Sequence, residues 1–157
     1  MRFLFATLIF VIALLPCTAS ARDEMCAPLK SFVESIKPDQ TKSIEFHTIW
    51  GGQFKDSPKP DSGFVMYEKR CAHHDYGPAK AICLFLAENG ATEFSGENAK
   101  RVLSCLSPAT KFGQMQLEVG EFSFSYGNKD RGSNIEVKFK EDIEIGGMVL
   151  SISASGY

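Results

Sequence analysis

The chain has 157 residues, a formal net charge of −2, 44% hydrophobic residues and five cysteines. The charge argues against nucleic acid or an anionic membrane as a partner, since neither surface attracts a weakly acidic protein. The basic pairs Lys69-Arg70 and Lys100-Arg101 are isolated, so no basic cluster overturns that average.

Residues 1–21 read as a cleaved export signal. Arg2 supplies a positive start, Phe3 to Leu15 is almost wholly apolar, and Ala19-Ser20-Ala21 has the small-x-small form of a signal-peptidase site. The apolar run is short for a membrane span and stops at Pro16. Lipidation at Cys17 would want a small residue before it, and Pro16 stands there. Export is therefore expected, to a bacterial periplasm or the extracellular medium, with 22–157 as a single domain. Without Arg2 that domain carries 16 basic against 19 acidic residues.

Cys26 to Ile36 has Leu29, Phe32, Val33 and Ile36 on one helical face, and Pro38 stops it. Ser43 to Trp50 reads as a strand closed by Gly51-Gly52, and 55–62 (KDSPKPDS) as an exposed loop. Gly63 to Arg70 completes a long-looped hairpin. Gly77-Pro78 opens a second helix, proline being tolerated where its missing N–H has no helical partner. Ala79, Ile82, Cys83 and Leu86 form its apolar face, and Asn89-Gly90 is the expected left-handed stop. Ser95 is the expected N-cap of a third helix carrying Ala99, Val102, Leu103 and Leu106. The short linker predicts an antiparallel hairpin for these two helices.

Three strands follow. Gln116 to Tyr126 changes parity at Gly120-Glu121, which predicts a β-bulge. Asn134 to Lys140 alternates cleanly, as does Met148 to Ala154. The order α-β-β-α-α-β-β-β predicts an α+β domain: an antiparallel sheet of about five strands with the N-terminal helix and a disulfide-stapled helix hairpin on one face.

Cys26, Cys71, Cys83 and Cys105 remain after signal removal and should form two disulfides. The pairing expected is Cys83–Cys105 with Cys26–Cys71. Its rival is Cys71–Cys83 with Cys26–Cys105.

Catalytic signals are thin. His73-His74-Asp75 invites a metal reading, but adjacent side chains diverge, and an exported Cys71 is better read as bridged than as a ligand. His47 and Glu45 share a strand face and could serve acid–base chemistry, although such pairs are ordinary on solvated strands. The G-x-S-x-G elbow and a glycine-rich phosphate loop are both missing, and no thiol is spare for nucleophilic work. No cofactor is implied.

Most of the ten phenylalanines beyond the signal fall at inward positions and read as core. Trp50, Phe54 and the proline-bearing loop with Lys55, Lys59 and Asp61 stand apart, as an expected recognition edge, although Trp50 would also suit the rim of the core. The leading expectation is a non-enzymatic binding domain for a protein partner, of the inhibitor or immunity type against a secreted toxin or hydrolase. A small hydrolase or metal-dependent enzyme using His47, or His73 to Asp75, is the alternative. A structural envelope component is the third.

Overall fold

A computed structural model describes residues 23–60 and 63–157. The expected signal at 1–21 and the candidate residue Asp61 lie outside the described residues.

Three helices and five strands occur in the expected order: α1 (Cys26–Glu34), β1 (Thr41–Trp50), β2 (Tyr67–Ala72), α2 (Gly77–Asn89), α3 (Gly96–Leu106), β3 (Gly120–Gly127), β4 (Gly132–Glu141) and β5 (Met148–Gly156). The strands form one antiparallel sheet in the order β2-β1-β5-β4-β3, so the β1–β2 hairpin joins the β3–β4–β5 meander through β1 and β5.

Register explains the core. Phe46 lies opposite Leu150, and Leu150 opposite Phe139; Ile44, Ile152 and Val137 make the parallel row beside them. All six are buried, on the single face that the helices cover. Because strand side chains alternate, Glu45, His47, Ser151, Ser153, Glu136 and Lys138 point to the other, open face. The apolar stripes of the helices meet the core face as their spacing predicts: Leu29, Phe32, Val33 and Ile36; Ala79, Ile82, Cys83 and Leu86; Ala99, Val102, Leu103 and Leu106 are all buried.

The cysteine pairing is corrected. Cys26 bonds Cys105, and Cys71 bonds Cys83, with Cα separations of 5.0 and 5.4 Å. Both lie in the ordinary disulfide range. The reason is the seat of α1, which packs against both α2 and α3 more extensively than those two pack on each other. That places the first residue of α1 beside the last turn of α3, while β2 runs alongside α2. Each helix of the pair is thus stapled outward, one to α1 and one to the sheet.

Three local expectations also change. Gly90 ends α2 in an extended conformation (φ −67°), not a left-handed one. Ser95 occupies the N-cap of α3 without a side-chain capping bond. Buried Asn98 does the local work instead: it accepts from the Ala91 N–H and donates to the Ala91 carbonyl, both at 2.8 Å, clamping the α2–α3 linker. The parity change near Gly120 is the start of β3 and not a bulge, since pairing with β4 runs unbroken from Gly120–Phe139 to Gly127–Gly132.

Candidate functional site

The chain leaving β1 is largely exposed over residues 55–60, as expected of this loop, but it is tied down to the sheet. After Gly51-Gly52 it turns back over the open face of the sheet, and Glu68 on β2 anchors it. The Glu68 carboxylate accepts the Phe54 N–H at 2.9 Å and the Ser57 hydroxyl at 2.6 and 2.8 Å. Arg70 forks onto Asp56 at 2.7 and 3.1 Å, and its guanidinium lies 4.8 Å over the Phe54 ring. That fork holds the Asp56 carboxyl below the usual carboxylate range. Lys55 donates through its backbone N–H to Ile145 O and through Nζ to Ile143 O, tying this loop to the β4–β5 turn.

Phe54 is consequently 1% exposed, a plug on the open face, and cannot belong to the recognition edge expected of it. Four of the five candidates can be placed, and they divide. Lys55 is exposed but committed to the β4–β5 turn, and Lys59 is exposed. Trp50 is 47% exposed, and Tyr67, its register partner on β2, is 49% exposed. Their rings are parallel to within 5° at 6.4 Å. Both residues share the parity of Phe46 and so continue the core face toward solvent. The Gly51 N–H donates to Met66 O at 2.8 Å, closing the strand pair just beyond the two rings. Phe64 and Met66, 76% and 57% exposed, flank them in the chain entering β2. The sequence reading missed Tyr67, Phe64 and Met66. The available signal was the run of large apolar residues from Phe64 to Tyr67, which strand patterning absorbed.

His47 lies on the open face, across the sheet from these rings, with its ring 6.3 Å from that of Phe54. Its Nε2 is 3.6 Å from Glu45, as their shared parity predicts, and its Nδ1 is 3.1 Å from Asp142 in the β4–β5 turn. The second contact has ion-pair distance without hydrogen-bond alignment, so Nδ1 is buried without a partner. Asp142 spends Oδ1 on the turn, accepting the Glu144 and Ile145 N–H groups at 3.0 and 3.1 Å. Burial pushes its carboxyl up, but those two donors and the nearby imidazole outweigh it and hold the carboxyl below its ordinary value. The pocket beside His47, about 440 Å³, is lined by Glu45, Lys138, Lys140 and Ser151.

With carboxylates at opposite ring nitrogens, His47 bridges β1 to a turn, and its two nitrogens cannot converge on one ion. At the other motif, His74 and Asp75 have φ of 46° and 57° and form a tight turn into α2, where the Tyr76 N–H donates to His73 O at 2.8 Å. Among the described residues, no three His, Cys, Asp or Glu side chains are grouped to hold a metal. What the arrangement offers most directly is contact area: two half-exposed aromatic rings side by side on a paired strand edge. No family model matches the chain, and no solved structure matches it.

Proposed function

We propose that the protein is an exported, disulfide-bridged binding domain that engages a protein partner through the Trp50–Tyr67 edge. An inhibitor or immunity-type role against a secreted toxin or hydrolase, in the bacterial periplasm or the extracellular medium, is the form this reading takes. Two disulfides suit an oxidising compartment. The observation that carries the reading is the half-exposed Trp50–Tyr67 pair with Phe64 and Met66 beside it. Large aromatics at the centre of an interface contribute disproportionately to affinity, because their burial displaces much water at a small cost in side-chain freedom. The seat of both rings on hydrogen-bonded strands also favours binding, since a surface already ordered loses less freedom on association.

Affinity capture with the disulfide-intact domain, repeated with Trp50→Ala and Tyr67→Ala, tests this. Each substitution should weaken a stoichiometric partner by about thirtyfold or more, equivalent to ~2 kcal/mol at a hot spot, with the melting temperature within a few degrees of wild type. His47→Ala should leave capture intact. Loss of capture with His47→Ala, but not with Trp50→Ala, would move the function to the open face and the acid–base alternative.

A further inference from the structure

On the helical side of the molecule a cleft of about 790 Å³ opens between α1, α3 and the segment after α3, far in sequence from the aromatic edge. Its charge is one-sided. Lys30, Lys100, Arg101 and Lys111 line it against only Asp23 and Glu97, in a chain whose net charge is −2.

Two of these cations are already committed. Arg101 binds the Asp23 carboxylate through Nε and an Nη, both at 2.6 Å, and lies 5.2 Å over the Phe85 ring. Lys100 pairs with Glu97 at 2.5 Å and donates to Met115 O at 2.8 Å. The two acids of the cleft are thereby neutralised. Among the described residues, Lys30 and Lys111 have no carboxylate within ion-pair distance. Two lysines without a paired carboxylate therefore line one cleft, together with Ser104 and partly buried Phe112.

We propose that this cleft binds a small oxyanion carrying two or more negative charges, with Lys30 and Lys111 as its principal contacts and the Arg101–Asp23 and Lys100–Glu97 pairs as the fixed frame around it. The size favours a small ligand, since pockets for such molecules span roughly 300–1,000 Å³. The acidic remainder of the chain disfavours an extended polyanion, which would have to lie along repelling surface. Phosphate and carboxylate oxyanions share the required chemistry, and separate probes distinguish them.

Pyrophosphate and citrate are each titrated calorimetrically into the disulfide-intact protein at about 10 mM ionic strength, where screening is weak. Saturable one-to-one binding of at least one probe is expected, and which one binds identifies the oxyanion class. Lys30→Gln/Lys111→Gln should weaken it about tenfold or more, since two charge-assisted contacts are lost. The control Lys37→Gln/Lys129→Gln removes the same net charge from exposed positions outside the cleft and should leave the affinity within about twofold. Absence of saturation with both probes overturns the proposal. So does an equal loss in the control pair, which would mean that only overall charge is being sensed.

Discussion

At the scale of single residues, Asp142 has two separable tasks. Its Oδ1 accepts two backbone N–H groups that shape the β4–β5 turn, and its charge faces the imidazole of His47. Asp142→Asn keeps an oxygen for the turn and removes the charge. The folded carboxyl titrates below its ordinary 3.8, so it contributes stability that is present above about pH 4 and disappears as the pH falls through the lower folded value. Urea unfolding should therefore find Asp142→Asn less stable than wild type at pH 7, with the gap closing as the pH falls below 3.8 and through the lower folded value, where the folded carboxyl becomes neutral. Asp142→Ala should retain a deficit of about 1–2 kcal/mol even where the wild-type carboxyl is neutral, because it also strands the two N–H donors. An Asn deficit that stays the same across this range would show that the charge contributes nothing and that only the shape of the turn matters.

At the scale of elements, the end of α2 is set by crowding. Gly90 has φ −67°, which alanine adopts freely. Backbone entropy alone would make Gly90→Ala stabilising by about 0.4–1 kcal/mol. A Cβ there would, however, sit 2.5 Å from the Phe46 ring and closer still to the Leu86 carbonyl oxygen. Phe46 is buried in the central core row and has nowhere to retreat, so the steric term should win. Gly90→Ala is expected to cost about 1–3 kcal/mol in urea melts. The double substitution with Phe46→Leu should cost less than the sum of the two singles, since the smaller side chain vacates the contested space. Additivity would place the strain at Leu86 instead. The helix faces themselves were readable before any coordinates, because a 3.6-residue stripe such as Ala99, Val102, Leu103 and Leu106 has only one way to meet a core. The fold-back of Phe54 was not. It depends on a carboxylate fourteen residues away in sequence, Glu68, and nothing in the local pattern announces that contact.

At the scale of the whole molecule, the same division between local and non-local information governs the cysteines. Spacing shows which cysteines ride on which element but not which elements touch, and the packing of α1 against α3 decides the pairing. The aromatic edge was half legible for the same reason: Trp50 announces itself, while its partner Tyr67 is known only from strand register. The two bridges differ in reach. Cys26–Cys105 spans 79 residues and Cys71–Cys83 spans 12. Loop-closure entropy in the unfolded chain makes these worth about 4.5 and about 3 kcal/mol respectively, as upper values. The long bridge should matter more in the native state as well, because it pins α1 to α3 while the short one joins neighbours already held by the sheet and α2. Cys26→Ala/Cys105→Ala is therefore expected to lower the unfolding free energy by about 1–2 kcal/mol more than Cys71→Ala/Cys83→Ala, and to steepen the denaturant dependence, since a longer segment of unfolded chain is released to solvent. If the 12-residue bridge proves the costlier to remove, chain entropy is not the controlling term. The Cys71–Cys83 link would then act mainly by holding β2 against α2, and the stability of the edge that carries Tyr67 would depend on it.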